Sequence, residues 1–175
     1  MYEIRLHSRG GQGGVTAAKI LAYAAFLDGN YATATPLYGA ERRGAPVVSF
    51  IRIDDRPIRV YSPIRHPDLV IVLETGIMET VDVLQGIKDG GRVLINSPEP
   101  MDLGEYHVSY VDLTGIALSL DLVVSGNPIL NTPLIGALSK MGLITHESGE
   151  KAISETFSDE RNIKAAGRAF EEVIL

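Results

Sequence analysis

The chain of 175 residues is expected to form an α/β protein: one three-layer α/β/α domain over residues 1–175, with a mostly parallel, partly mixed sheet and a β-hairpin. Three observations lead there. Strand patterns alternate with helical patterns along the chain. The stretch "HSRGGQGGVTAAKI" sets a glycine-rich turn between the first strand and the first helix. The run "DLVIVLE" is continuously apolar, as a strand covered on both faces must be.

In "YEIRLHS", Ile4 and Leu6 point one way and Glu3 and Arg5 the other, so a strand opens the chain. Past the glycines, Val15, Ala18, Leu21, Ala22 and Ala25 recur at helical spacing, and Asp28-Gly29-Asn30 stops that helix. "YATATP" reads as a strand of small side chains, and "YGAERRGAP" as a loop. "VVSFIRI", the turn "DDRP" and "IRVYS" predict a β-hairpin over 47–61, with Asp54 and Asp55 serving the turn rather than acid–base chemistry. "DLVIVLE" leads into a short helix, "GIMETVDVLQGI". "GGRVLINS" and "YHVSYVDL" are further strands, with His107 facing solvent or an interface. The last third is helical. "NTPLIGALSKMGLI" begins with an Asn/Thr cap and a first-turn proline, and helices over 147–157 and 159–174 follow.

This length buries a substantial core without disulfides or metals. There is no cysteine, which excludes disulfides, thiolate-held iron–sulfur clusters and cysteine zinc sites. The four histidines show no ligand-like spacing, so no metal site is expected. No apolar stretch approaches a membrane span, and the N-terminus lacks a signal-peptide layout, so a cytoplasmic protein without membrane contact is expected. Charge is uneven: residues 1–66 hold nine basic and five acidic side chains, residues 67–175 seven and seventeen. Arg42, Arg43, Arg52, Arg56, Arg59 and Arg65 crowd one span, which points to an anionic partner or a charged interface. Lysine is scarce and no aromatics interleave the arginines, so nucleic acid is not an expected partner.

Ligands of open α/β sheets sit at the carboxyl ends of the strands, where the 8–14 loop falls. The loop is not a dinucleotide fingerprint. With Gly11 and Gly13 aligned on its first two glycines, Thr16 takes the third place, and "YATATP" ends without a ribose-binding acid. No Gly-Lys-Ser/Thr follows, which excludes a Walker loop. The glycines do free the backbone amides of 10–14 to converge at a helix N-terminus, a favourable anion site to which Arg9 adds charge. A tight turn needed only for backbone geometry is the alternative. In "YGAERRGAPV", Tyr38, Glu41, Arg42 and Arg43 are dense in functional groups for a loop, either for a ligand or for a subunit interface. No nucleophile elbow exists, and His7 and Ser8 are neighbours in sequence rather than a catalytic pair. No catalytic residue is assigned.

"RGGQGGVTAAKILA", "YGAERRGAPVVSFIRIDDRPIR" and "NPILNTPLIGAL", in this order with "PDLVIVLE" between them, resemble the gamma subunits of 2-oxoacid:ferredoxin oxidoreductases, of which pyruvate synthase is the best known. The similarity spans nearly the whole chain. R-G-G-Q-G together with E-R-R-G-A-P is specific, whereas neither alone is. The resemblance implies a subunit that is not catalytic alone and that assists assembly and coenzyme A binding. Thiamine diphosphate and iron–sulfur clusters would lie on partner chains of alpha, beta and delta type, with ferredoxin as the acceptor. A 2-oxoacid is decarboxylated and its acyl group passes to coenzyme A. Carried onto this sequence, the candidate cofactor-binding residues are Arg9, Gly10, Gly11, Gln12 and Gly13, then Tyr38, Glu41, Arg42 and Arg43, then Asn131 and Thr132. "ERRGAPV" looks closer to the pyruvate or branched-chain enzymes than to the 2-oxoglutarate enzymes, and pyruvate is the preferred oxoacid. The alternatives are a gamma subunit serving branched-chain oxoacids or 2-oxoglutarate, a free-standing nucleotide-binding oxidoreductase, and a purely structural interface module.

Overall fold

A computed structural model describes residues 1–37 and 44–175. Strand β1 (Tyr2–Arg9) runs into helix α1 (Gly14–Leu27), then β2 (Tyr31–Leu37), β3 (Pro46–Asp54) and β4 (Leu69–Val72). A 3-10 turn (Thr75–Glu79) precedes β5 (Arg92–Asn96), β6 (His107–Val111), α2 (Leu113–Ser119) and a short pair, β7 (Val123–Val124) and β8 (Asn127–Pro128). Helices α3 (Asn131–Lys140), α4 (His146–Thr156) and α5 (Arg161–Glu172) complete the chain. The six long strands form one sheet in the order β2-β3-β1-β4-β5-β6. β1, β4, β5 and β6 are mutually parallel, whereas β3 lies antiparallel between β1 and β2. Three layers and a mixed sheet are thus present, as expected.

The helices gather on one face. Ile4 and Leu6 of β1, Ile51 of β3 and Leu69 and Ile71 of β4 meet Ala17, Ile20, Leu21 and Ala24 of α1, and residues of α3 and α5 fill in behind. α3 is the central helix, with residues 131–139 all buried. Its closest approach is to α5, where a Cβ on Gly136 would lie 1.8 Å from the Ala166 carbonyl oxygen. The opposite face has a smaller core of Val70, Val72, Val93 and Ile95 under Ile77, Val83 and Ile87.

Two expected elements are replaced, and a buried arginine accounts for each. The hairpin over 47–61 does not form: both edges of β3 are taken by β1 and β2, so no edge remains for "IRVYS". That segment is instead held by Arg52, 2% exposed, whose guanidinium donates to Glu3 Oε1 (2.9 Å) and to the carbonyls of Val60 (3.3 Å) and Ser62 (2.7 Å). The antiparallel hairpin lies at β7–β8 instead. Likewise "GIMETVDVLQGI" makes only the 3-10 turn before losing helical form. Arg5 Nη2 takes the carbonyls of Val83 (2.7 Å) and Gln85 (2.8 Å), turning inward oxygens that a helix would have aligned along its axis. "TGIALSL" is helical within α2, capped by the Asp112 carboxylate on Gly115 N at 2.7 Å.

Arg5 and His7 are both buried on the second face of β1, with Arg5 Nε donating to His7 Nε2 at 3.2 Å. Burial, and then the Arg5 charge, pull the His7 pKa down to about 4. The folded chain therefore refuses a proton that the unfolded chain accepts near an ordinary histidine pKa of about 6.5. Stability contributed above that value is lost as pH falls toward 4. Urea unfolding should show about 2 kcal/mol less stability from this group near pH 5 than near pH 7.5. A His7→Asn variant should lose that share of the pH slope, and an unchanged slope would refute the assignment. Packing gives a second expectation. Gly136→Ala should cost about 3 kcal/mol by forcing α3 from α5. Gly167→Ala, whose added Cβ meets nothing within 4 Å, should instead stabilise by about 0.7 kcal/mol. Equal effects in the two variants would contradict this helix contact.

Candidate functional site: the glycine turn and the start of the buried helix

The turn from β1 to α1 needs glycine for two different reasons. Gly11 and Gly13 have φ of 101° and 86°, a left-handed backbone that side chains disfavour. Gly14 has no Cβ for a steric reason: one built there would lie 2.3 Å from Ser8 Oγ and 2.7 Å from Ser8 Cβ. The glycine that lets helix and strand touch is therefore Gly14 and not the equivalent of position 16, and Thr16 crowds nothing. A further departure from dinucleotide folds is topological. Because β3 separates β1 from β2, the end of β2 stands two strand spacings, about 10 Å, from the turn. Position 37 there is leucine, not an acid.

Of the amides expected to converge, two are spent on backbone carbonyls, one before β3 and one within the turn. Gly10 N donates to Ala45 O at 3.0 Å and Gln12 N to Arg9 O at 3.2 Å. Gly13 caps α1 without any side-chain acceptor, so the first-turn amides of Gly14, Val15 and Thr16 have no side-chain cap. No acidic residue stands in that turn either. These amides, at the positive end of a helix of 14 residues, are what an anion would meet. Gln12 is a clamp. Its Oε1 accepts from Arg9 N (2.8 Å) and its Nε2 donates to Glu74 Oε2 (3.3 Å), tying the turn to the end of β4. Arg9 donates from Nη1 to Gly44 O at 3.0 Å. Its guanidinium thus leans toward the second face of the sheet.

The third motif arrives at the same place. Leu130 N donates to Gln12 O at 3.0 Å, and the Asn131 side chain lies 3.2–3.3 Å from where a Gly13 Cβ would be. Asn131 Oδ1 accepts from Thr132 N (2.7 Å), while its Nδ2 has no partner among the described residues and is not sealed from solvent. Thr132 is fully buried, its hydroxyl on Asn162 Oδ1 at 3.2 Å, so it joins α3 to α5 and does not reach the surface. Between turn and helix opens a cavity of about 410 Å³, lined on the polar side by Ser8, Arg9, the glycines of the turn, Thr16 and Asn131 and on the apolar side by Val47, Val124, Ile129 and Phe157. A hollow of about 250 Å³ beside it shares Val124, Ile129, Asn131 and Phe157 and ends at Asp159 and Arg161. Tyr38, Glu41, Arg42 and Arg43 lie outside the described residues. The flank that follows them is laced to the turn through Gly44 N and Gly10 O, 3.3 Å apart.

The structure brings Arg9, Gly10, Gly11, Gly13 and Asn131 together at one mouth, sets the Gln12 side chain behind it on Arg9 N and Glu74, and places Thr132 beneath it. Phe157 and Val124 were not signalled by the sequence, because each comes from an element with no motif of its own. The arrangement can hold an elongated ligand with an anionic group at the helix start and apolar surface beyond.

Residues 3–172 match the family described as pyruvate ferredoxin/flavodoxin oxidoreductase. The common gamma subunit of the pyruvate and ketoisovalerate oxidoreductases of Thermococcus litoralis is 48% identical over 186 residues, covering 100% of this chain and 98% of that one. Pyruvate oxidoreductase subunit PORC from Thermotoga maritima superposes with a TM-score of 0.84 at 33% identity, over 99% of this chain and 97% of that one. The 2-oxoglutarate:ferredoxin oxidoreductase of Magnetococcus marinus, solved with 2-oxoglutarate, coenzyme A and succinyl-CoA bound, shares the fold at TM-score 0.80 and 18% identity, over 97% of this chain and 30% of that one. With its glycine turn, its mixed sheet and its full-length relatives in agreement, the chain belongs to the pyruvate ferredoxin/flavodoxin oxidoreductase family, as a gamma-type subunit of a 2-oxoacid oxidoreductase complex.

Proposed function

We propose that this subunit contributes coenzyme A contacts and assembly surfaces, and no catalytic group, to a complex that oxidatively decarboxylates pyruvate to an acyl-CoA. Partner chains of alpha, beta and delta type carry the thiamine diphosphate and the iron–sulfur clusters, and ferredoxin takes the electrons. A sequence without cysteine has no thiolate to hold a cluster, which supports a division of labour among chains. The observation that carries the coenzyme A reading is the pairing of uncapped α1 amides with the Asn131 amide at the mouth of one cavity. Coenzyme A offers phosphates for those donors, and an apolar wall suits its pantetheine arm. The Magnetococcus marinus enzyme, which has this fold in part of its chain, holds coenzyme A.

The oxoacid is set elsewhere. The Thermococcus litoralis relative is common to a pyruvate and a ketoisovalerate enzyme, so a gamma chain of this kind does not by itself select the acyl group. Tyr38, Glu41, Arg42 and Arg43 supply further charge for the ligand or for a partner surface, and no membrane association is proposed. Co-expression with the partner chains should give ferredoxin reduction that the isolated chain lacks.

Thr16→Asp tests the site without removing anything. A carboxylate in the first turn favours the helix and repels a phosphate placed there. The assembled complex should keep its kcat and its KM for pyruvate while KM for coenzyme A rises about tenfold, or about 1.4 kcal/mol. An unchanged KM for coenzyme A in an intact complex would overturn the coenzyme A reading. Loss of assembly would recast the turn as an interface.

A further inference from the structure

The two edges of the six-stranded sheet are finished differently. At the β6 edge, Tyr110 exchanges both backbone bonds with Ile174 near the C-terminus, 3.0 Å each, so that strand is partly covered. At the other edge stands β2, and no described strand pairs with its outer side. Its sequence, "YATATPL", carries no charged side chain, and its ladder with β3 runs through seven consecutive pairs without a bulge. Natural sheets blunt a bare edge with charges, bulges, proline or a covering segment. Charge and bulge are both missing from β2, and Pro36 is the one such device within it.

Which groups this edge offers follows from the bonding of its neighbours. The carbonyls of Glu3 and His7 accept from Asp68 N and Leu73 N, so the odd positions of β1 turn to β4. The even positions, Ile4 and Leu6 among them, turn to β3, as Gly10 does just beyond the strand in donating to Ala45 O. Their partners Ile51 and Ser49 face β1, which leaves Arg52 and Phe50 to bond Thr33 and Thr35 of β2. The outward groups of β2 are then the N–H and C=O of Ala32 and Ala34 and the C=O of Pro36. Proline thus stands where its missing N–H takes nothing from the ladder with β3. Side chains alternate between the faces. Ala32 and Ala34 pack on the helix-side core, whereas Tyr31, Thr33, Thr35 and Leu37 share the opposite face, with Tyr31 and Leu37 50% and 52% exposed.

We infer that β2 pairs antiparallel with β2 of a second copy of this chain, centred on Ala34, so that two sheets continue into one across a two-fold axis. In that register Ala34 exchanges both bonds with its counterpart. Ala32 N donates to the Pro36 carbonyl of the second copy, a bond that asks no N–H of proline. Thr33 stands opposite Thr35 and Tyr31 opposite Leu37, at the close positions between hydrogen-bonded pairs. The two exposed apolar side chains of the strand thus cover each other. A different strand would satisfy the amides as well, but this match of side chains about one centre belongs to self-pairing. Charge fits too: copies that each carry a net −6 meet along a strip with no charged side chain to oppose another. On the helix side α1 rests against β2, with Phe26 64% exposed, and the pairing sets the two copies of α1 alongside each other. The inference does not rest on the coenzyme A reading, because no residue of β2 lines the cavity at the glycine turn.

Sedimentation of the full chain should show a concentration-dependent dimer. The chain has no cysteine, so introduced cysteines report the register. Thr33→Cys and Thr35→Cys chains, mixed and oxidised, should cross-link to each other, and neither should cross-link alone. Ala34→Pro removes only an outward N–H. It should leave the urea midpoint of the monomer nearly unchanged while raising the dimer dissociation constant about thirtyfold, for two hydrogen bonds lost. Thr33→Pro, which takes a bond from β3, should lower that midpoint clearly. Should Ala34→Pro fail to fold, the cysteine pair decides alone. A monomer at every concentration would overturn the inference, as would Thr33→Cys chains that cross-link with themselves or an Ala34→Pro variant that folds and dimerises as before. A monomeric chain whose β2 amides gain protection from hydrogen exchange only in the assembled complex would overturn it as well, and would give this edge to a strand of a partner subunit.

Discussion

The contact on which the rest of the structure depends is the approach of α1 to β1 at Gly14, closer than any Cβ permits. It seats the helix start directly on the sheet and aims its first amides past the carboxyl end of β1. From there the turn is bonded in two directions. Gln12 reaches Glu74 at the end of β4, and the Gln12 carbonyl receives Leu130 N at the head of α3. α3 is buried along its length, so the mouth of the cavity is fastened to the core itself and not to a surface loop. Donors held this way need no reorganisation when a ligand arrives.

β1 is the strand through which both faces are organised. Ile4, Leu6 and Ser8 turn to the helices, whereas Arg5, His7 and Arg9 turn to the thinner layer. Burying Arg5 and Arg52 is costly unless every donor finds a partner. Each finds carbonyls in a segment that would otherwise have been regular: Val83 and Gln85 for Arg5, Val60 and Ser62 for Arg52. The second face is consequently covered by captured backbone rather than by helices packed side by side. That leaves a concavity over β2 and β3, where a helical layer would have filled the space.

Periodicity made the single elements legible. The alternation of β1, the 3.6-residue spacing of α1 and the apolar run of β4 each depend on residues close in sequence, and each is found. Pairing is not local, and there the sequence fell short. Nothing in "VVSFIRI" says that it will slide between two strands, and once it does the expected hairpin partner has no edge to join. The site divides in the same way. The glycine turn and "NTPLIGAL" stood out separately, but their contact through Gln12 and Leu130 crosses more than a hundred residues. Thr132 looked equivalent to Asn131 because neighbours in sequence at a helix start look alike. Helical geometry turns one toward the turn and the other toward Asn162.

A binding site of this construction is incomplete on electrostatic grounds. The described lining offers amide dipoles, the neutral Asn131 and a single cation, Arg9, which spends a donor on Gly44 O. Dipoles orient an anion well, but a ligand with several phosphate charges also requires cations to offset its desolvation. Residues 67–175, which supply Asn131, Ile129 and Phe157, carry a large excess of acidic side chains. The compensating charge must come from the arginine-rich stretch within residues 1–66 or from another chain. A subunit built to present oriented amides, with its positive charge concentrated in one third of the sequence, fits a shared site better than a self-sufficient one.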